Sequence, residues 1–181
     1  MRTILPHTAN PALRETARDI PLEDIAGPHI ASLIADMKAL LAKEEFGVAL
    51  AAPQVGEAIK LFVVSGKALT RREESYHDTD SADVSEQAPE DTVYINPKWV
   101  KMSRKKTGKH EGCLSVRGLW GIVPRAEKVS LTAYDEHGKK ISRGASGFLA
   151  HIFQHEMDHL EGTLYIDKAT EMYDENEKAD E

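Results

Sequence analysis

Gln154-His155-Glu156-Met157-Asp158-His159 is the stretch of this sequence that says most about its fold and chemistry. Its two histidines are four residues apart, so a helix places them on one face with Glu156 beside the first. Apolar residues recur around them at helical spacing, and Ser146 and Gly162 suit the N-cap and the position just past the C-terminal end. A helix with this H-E-x-x-H pattern binds a divalent metal and supplies a base for a water molecule. The alternative interpretation is a solvated or partly packed helix that is merely rich in His and Glu.

A third metal ligand separates these interpretations. Tyr165 stands where a metzincin carries its third histidine. A thermolysin-like protease would use a glutamate from a later helix. Three glutamates of a charged tail with little apolar material are available for that role: Glu171, Glu175 and Glu177. The remaining candidate is Cys113, the single cysteine, whose thiolate would join His155 and His159 and leave a fourth position open, as in catalytic zinc sites. The alternative for a lone cysteine is a small buried apolar residue.

His151 lies on nearly the same helical face as these histidines, but it is a poor ligand candidate. It is eight residues from His159, about 12 Å along a helix axis. Both side chains therefore cannot reach one ion with bonds of about 2 Å. We expect His151 to line a pocket or to pack against neighbouring residues.

Three segments, in order along the chain, resemble the motifs of the peptide deformylase family. The first is the small-residue run 47–56, Gly-Val-Ala-Leu-Ala-Ala-Pro-Gln-Val-Gly. The second is Glu111-Gly112-Cys113-Leu114-Ser115, and the third is the Gln154–His159 stretch. The resemblance extends from Ile4 to about Asp167, and the three motifs together are highly specific.

The resemblance implies a role for each motif residue. Cys113, His155 and His159 would hold one divalent metal, while Glu156 would act as the general base. Gln54 and the backbone N–H of Leu114 would stabilise the oxyanion. Two charged residues, Glu111 and Arg125, would orient the ligands or the base. The expected substrate contacts are Val48, Ala49, Gly112, His151 and Ile152.

The implied substrate is the N-formyl-methionyl end of a nascent polypeptide, and the implied products are formate and a free amino terminus. The resemblance favours Fe(II) as the native metal, although imidazole and thiolate ligands also accept Zn, Ni or Co. Two alternatives stay open. One is a metallopeptidase that uses the same helix, and the other is a deformylase-like protein with reduced or lost activity.

Composition predicts a soluble cytoplasmic protein. The chain has 181 residues with 41% hydrophobic content, enough for one core in a single domain. A net charge of -7 and a pI near 5.6 argue against direct nucleic-acid binding. One cysteine excludes an internal disulfide and suits a reducing compartment. No apolar run approaches the roughly 20 residues that span a bilayer, so we expect no membrane contact, and we expect a monomer.

The order of elements predicts an α+β fold, with antiparallel β-sheets packed around the central C-terminal helix and a further helix near the N-terminus. Apolar spacing predicts that N-terminal helix over 29–45. Short β-branched runs predict strands at 61–64, at 93–96 and at 128–135, the last leading through a turn to a partner strand that includes Ile141. The predicted domain is 1–167, with an exposed insertion loop at 65–91 and a frayed, charged C-terminal tail at 168–181.

Three features depart from the family pattern. Ala49 stands where the family usually has its second glycine, and a methyl group there is expected to crowd the substrate backbone. The 65–91 connection is longer than in many members. The segment 171–181 is strongly acidic, whereas some relatives use a basic C-terminal helix to dock on the ribosome. We therefore expect at most a transient ribosome contact, because ribosomal RNA would repel this segment.

Overall fold

A computed structural model describes residues 2–70 and 89–174 of the chain. Within these residues the fold is α+β, as predicted, with one five-stranded and one three-stranded sheet whose strands pair antiparallel throughout. The helices are α1 (Pro28–Lys43), α2 (Gly66–Thr70) and α3 (Gly147–Leu160). The strands are β1 (Ala49–Ala51), β2 (Leu61–Val64), β3 (Thr92–Met102), β4 (Lys106–Cys113), β5 (Val116–Ala126), β6 (Lys128–Tyr134), β7 (Lys140–Ser146) and β8 (Glu171–Asp174).

The five-stranded sheet has the order β1-β2-β3-β6-β7 and a helix on each face. Because side chains alternate along a strand, β2 sends Phe62 and Val64 into the core around α3, and Leu61 and Val63 into the core around α1. This explains why β2 is a continuous apolar run, since both of its faces are covered.

An aromatic cluster holds α3 against this sheet. The rings of Phe62 and Tyr94 stack with centroids 4.9 Å apart, and Phe153 of α3 meets Tyr94 edge-on at 5.0 Å. All three side chains are buried. The helix that carries the two ligand histidines is therefore fixed by apolar packing.

The two ends of α3 differ from each other in how they are capped. Gly162 lies just past the end, as predicted, with φ +72°, and a Cβ there would lie 3.0 Å from the backbone of Arg14 and Glu15. Ser146 occupies the N-cap position, but its side chain makes no capping hydrogen bond, so the predicted cap is wrong. Ser146 is also the last residue of β7, opposite Lys128, and strand pairing fixes its backbone in the extended form.

Two predictions about irregular segments require correction. The segment 65–91 does not start as an exposed loop, because Ser65, Gly66 and Ala68 are buried and α2 begins at Gly66. The Gly66 N–H donates to the Asp91 carboxylate at 2.9 Å, so the two ends of the segment meet. Residues 71–88 of the predicted loop lie outside the described residues.

The predicted frayed tail is wrong for residues 171–174, which form β8 alongside β5. Lys168 Nζ also donates to Asp158 Oδ1 at 2.6 Å, and the Thr170 N–H donates to the Ile122 carbonyl. These contacts anchor a polar segment that has no apolar periodicity. Residues 175–181 lie outside the described part of the chain.

The remaining helix and strand predictions are confirmed with adjusted ends. α1 covers 28–43 rather than 29–45, and the strand predicted at 93–96 extends over all of β3. The β6–β7 hairpin is as predicted. Within the described residues, no helix has both the length and the apolar content to span a bilayer.

Candidate metal centre

Cys113 and two of the three histidines of α3, His155 and His159, come together at the end of β4. Cys113 is the last residue of β4, and its Sγ lies 3.4 Å from Nε2 of His159. One ligand atom from each of Cys113, His155 and His159 lies within 4.8 Å of the other two. The structure thus brings together the three predicted ligands, which are 46 residues apart along the chain at their widest.

The donor set fits a single divalent metal. Thiolate sulfur and imidazole nitrogen are ligands that Zn²⁺ and Fe²⁺ both accept, and three protein ligands leave a position open. His155 is oriented for this role, because its Nδ1 donates to Glu111 Oε2 at 2.8 Å. Its Nε2 lone pair is therefore free for a metal.

Glu111 is the most extensively hydrogen-bonded side chain of the site. Arg125 donates to both of its oxygens, at 2.5 and 3.0 Å, and Nε2 of His151 lies 2.8 Å from Oε1. Burial alone would raise the pKa of Glu111, but its bonds to Arg125, His151 and His155 lower that pKa well below its ordinary value. Glu111 is thus a buried carboxylate anion held in one orientation.

Asp158 joins this cluster, although the sequence analysis did not single it out as a site residue. Its Oδ2 accepts from Arg125 Nη1 at 2.8 Å, and its Oδ1 accepts from Lys168. The position of Asp158 one residue before a ligand was the available signal. Asp158 does not lie on the ligand face of the helix, but a buried carboxylate still needs a hydrogen-bond or ion-pair partner.

Glu156 lies beside the ligands and is buried, with 3% of its surface exposed. Within residues 2–70 and 89–174, its Oε2 has no hydrogen-bond partner. Burial raises the pKa of Glu156 to about 7, and the negative charges of Glu111 and Asp158 add to this effect, whereas His155 opposes it. A carboxyl group with this pKa exchanges a proton readily near neutrality.

The amide of Gln54 faces the ligand cluster with its NH₂ group. Its Oε1 accepts from the Ala51 backbone N–H at 2.8 Å, which fixes the orientation of the amide. Its Nε2 lies 3.5 Å from Cys113 Sγ and 3.3 Å from Ser115 Oγ. Leu114 follows Cys113 in the turn between β4 and β5, so its backbone N–H lies in the same neighbourhood.

The predicted substrate contacts lie on, or directly before, β1, on β4 and on α3. Val48 and Ala49 lie at the start of β1, and Ile152 lies on α3, all three in or against the same apolar cluster. Gly112 lies on β4, where a Cβ would meet the ring of Trp120 at 3.2 Å. His151 is buried on α3 with its ring edge-on to Phe148, and its polar nitrogen faces Glu111.

Two further side chains, Gln154 and Tyr165, build the site in roles that the sequence analysis did not assign to them. Gln154 exchanges two hydrogen bonds with the backbone of Ala126, both 2.9 Å long, and so ties α3 to the end of β5. Tyr165 stacks on the His155 ring at 6.1 Å, and its hydroxyl donates to the Leu119 carbonyl. Tyr165 is the residue that stands at the metzincin ligand position, and here it packs behind a ligand.

Fold and site together define a class of protein with a candidate metal centre, where two histidines from an H-E-x-x-H helix and one cysteine from a neighbouring strand could hold an ion. The polypeptide deformylase family model matches residues 1–175, and the chain belongs to this family.

Named relatives agree with this assignment. The chain is 41% identical to peptide deformylase 1A, chloroplastic, of Solanum lycopersicum over 160 residues, covering 88% of this chain and 56% of the relative. It is 38% identical to peptide deformylase 2 of Nostoc sp. over 159 residues, covering 88% and 81%. The chain spans only a little over half the length of the plant relatives it matches.

A solved structure shows the same fold. The peptide deformylase from Legionella pneumophila superposes with a TM-score of 0.74 at 32% identity. The match covers 94% of this chain and 86% of that protein. The fold similarity therefore includes both sheets and α3.

Proposed function

We propose that this protein is a metal-dependent hydrolase that removes the N-formyl group from the N-terminal methionine of nascent polypeptides and releases formate. The family assignment supports the reaction class. The observation that carries the proposal is the meeting of Cys113 from β4 with His155 and His159 from α3. A protein that only binds peptides has no need of this ligand set with an unpartnered carboxyl oxygen beside it.

Cys113, His155 and His159 would hold the ion, which we propose is Fe(II) natively, with Zn, Ni or Co as substitutes. When bound, a divalent ion lowers the pKa of a water molecule and polarises a carbonyl group. Glu111 and Arg125 position His155 for this role through their buried hydrogen bonds.

Glu156 acts as the general base in this mechanism. Its free Oε2 accepts the proton of the attacking water, and the same carboxyl group later donates that proton to the departing amine nitrogen. Burial raises the pKa of the Glu156 carboxyl group, which favours its holding the proton between the two transfers. Because Glu156 is buried, bulk water does not compete for the proton.

Negative charge develops on the formyl oxygen when water adds to the carbonyl carbon. Gln54 Nε2 and the Leu114 backbone N–H would donate to that oxygen. The Ala51 N–H holds the Gln54 amide so that the NH₂ group, and not the carbonyl, faces the reaction. One such donor typically lowers the barrier by about 2.7 to 4 kcal/mol.

The methionine side chain would lie against Val48, Ala49 and Ile152, since these residues are apolar and belong to, or pack against, the cluster that α3 shares with β1. Gly112 would let the substrate backbone approach β4 closely. A formyl group carries hydrogen where other acyl groups carry carbon, so a tight site excludes acetylated termini by steric conflict.

Formate release from formyl-Met-Ala-Ser tests the proposal directly. We expect turnover that a chelator abolishes and that added Fe(II) or Co(II) restores, and no turnover by Cys113→Ala. Acetyl-Met-Ala-Ser serves as the acyl control. Cleavage of an internal peptide bond in an unformylated peptide would assign the protein to the metallopeptidases. Metal binding without formate release would make it a deformylase-like protein that has lost activity.

Location and partners are also proposals. We propose a cytoplasmic monomer that meets the nascent chain and touches the ribosome only transiently, without direct nucleic-acid or membrane binding. The net charge of -7 and the acidic 171–181 segment support this. Sedimentation with ribosomes at low salt would test the proposal, which stable co-sedimentation would contradict.

A further inference from the structure

The carboxylate of Glu111 has two nitrogen atoms within 3.0 Å of each of its oxygens. A carboxylate has two oxygens and about four lone-pair sites. Oε1 faces Arg125 Nε and His151 Nε2, and Oε2 faces Arg125 Nη2 and His155 Nδ1. Four nitrogen atoms from three residues therefore surround one buried anion.

The residues around the Glu111 carboxylate come from two different parts of the fold. Arg125 lies on β5, which pairs with the Glu111 strand β4 in the three-stranded sheet. His151 and His155 lie one turn apart on α3. His155 attaches Oε2 to the helix, and His151 attaches Oε1. With both bonds in place, the carboxylate cannot pivot relative to α3.

His151 is not placed as an apolar wall. Its side chain is buried to about nine-tenths, and its ring meets Phe148 edge-on with centroids 6.0 Å apart. Its Nε2 lies 2.8 Å from the Glu111 carboxylate, which can only accept, so the imidazole nitrogen is the donor. A wall for a methionine side chain needs no such bond.

We propose that His151 is a positioning residue for the metal centre, and that it acts through Glu111 on the ligand His155. The contact of His151 with Oε1 holds the Glu111 carboxylate so that its Oε2 meets Nδ1 of His155. This contact orients the His155 ring, and its Nε2 then points towards Cys113 and His159. This role deepens the proposed function, since it concerns the same centre. Residues that orient a ligand through a hydrogen bond typically contribute about 10- to 100-fold to metal affinity or activity.

Three substitutions of His151 separate this role from that of a pocket wall. His151→Gln places an amide NH₂ at about the reach of Nε2, His151→Asn is too short to reach Glu111, and His151→Leu keeps bulk without a donor. The readouts are the rate at which cobalt-loaded protein loses Co(II) to a chelator, the visible spectrum of the bound Co(II), and kcat and KM for formyl-Met-Ala-Ser.

We expect His151→Leu and His151→Asn to release Co(II) about 10- to 100-fold faster than the wild type, with an altered spectrum. Their kcat should fall while KM stays near the wild-type value, and His151→Gln should restore both properties. The proposal would be overturned if His151→Leu lost Co(II) at the wild-type rate, or if His151→Gln and His151→Leu lost Co(II) at equal rates. A raised KM with unchanged release would assign His151 to the pocket wall.

A double-mutant comparison tests the route through Glu111. If His151 acts only on that carboxylate, His151→Leu should have little further effect on Co(II) release in a Glu111→Gln background. Full additivity of the two changes would contradict the proposed route. If His151→Leu does not fold, His151→Asn replaces it in the comparison with the Glu111→Gln background, and His151→Gln is the variant that keeps a donor.

Failure of this inference is distinguishable from failure of the proposed function. Wild-type protein that holds Co(II) but releases no formate would refute the deformylase activity. The release rates of the His151 variants would still decide whether His151 positions the metal centre.

Discussion

The two sheets hold their parts of the metal centre by different means. The five-stranded sheet fixes α3 through apolar side chains, among them Phe62, Tyr94 and Leu131, which are almost fully buried. β4 of the three-stranded sheet is mostly exposed, and its one buried residue is the charged Glu111. That carboxylate, with Arg125, ties the sheet to α3.

The contrast teaches that stability and metal geometry depend on different contacts. Apolar packing has no preferred direction, so it can hold a helix in place without orienting any particular side chain. Hydrogen-bonded ion pairs are directional, so they can place Cys113 relative to His155 and His159. Substitutions in the two regions should therefore differ in their effect on metal retention, even where both lower the stability of the fold.

The largest expected effect is on turnover and comes from the α3 side. Glu156→Gln keeps the size of the side chain but removes the base, so kcat should fall by about 10²- to 10⁴-fold. Metal content and the unfolding midpoint should stay near the wild-type values, because no ligand or core contact is lost. Glu161→Gln, just past the end of α3, is the matched control. Turnover within a few-fold of the wild type would remove Glu156 from the mechanism.

The next prediction compares the loss of stability caused by one substitution in each sheet. Arg125→Ala leaves the buried Glu111 and Asp158 without their shared cation, and breaking such a group costs about 3 to 5 kcal/mol. Leu131→Ala removes a fully buried side chain from the other sheet and costs about 2 to 5 kcal/mol. Denaturant unfolding should show comparable losses in the two variants.

The rate of Co(II) loss should distinguish Arg125→Ala from Leu131→Ala. Arg125→Ala should release Co(II) about 10- to 100-fold faster, since Arg125 orients the Glu111 carboxylate that holds His155. Leu131→Ala should release it at nearly the wild-type rate under conditions where both variants are folded. Equal release rates would mean that the polar cluster has no special relation to the metal centre.

Gln54→Leu tests the donor that reaches the centre from the turn after β1. The change keeps the approximate volume and removes the NH₂ group that faces the ligand cluster. We expect kcat to fall by about 10²- to 10³-fold with little change in metal content. Near-normal turnover would exclude Gln54 from oxyanion stabilisation. Because Leu leaves the Ala51 N–H without its acceptor, the unfolding midpoint should be measured alongside.

The elements that apolar periodicity defines were predictable from the sequence. α1, α3 and the β6–β7 hairpin have strong patterns, and the structure forms each of them within a few residues of the predicted ends. β4, β5 and β8 have weak patterns, because much of this small sheet is exposed and its buried positions mix charged, small and apolar residues, such as Glu111, Gly121 and Val123. Tertiary contacts, and not local preference, make these strands.

That the three candidate metal ligands come together was predictable for a different reason. Metal chemistry restricts the residue types, and the chain has a single cysteine. The bonds of Glu111 to His151 and of Arg125 to Asp158 were not predictable in detail, since they join β4, β5 and α3 across long sequence separations. Spacing along the chain contains no information about which buried charge meets which partner.

The smallest expected effect concerns Ala49, where the family pattern has glycine. The Ala49 side chain belongs to the buried apolar cluster around α3, and Ala49 pairs with Val64 across β1 and β2. Ala49→Gly removes one buried methyl group and adds backbone freedom to a strand, so it should destabilise the fold by about 1 to 2 kcal/mol. If the methyl group is a packing contact of the five-stranded sheet and does not crowd the substrate, kcat/KM for formyl-Met-Ala-Ser should change less than about threefold, well under 1.4 kcal/mol. A tenfold gain in kcat/KM would show instead that the methyl group obstructs the substrate backbone, and Ala51→Gly on the same strand provides the control for lost packing alone.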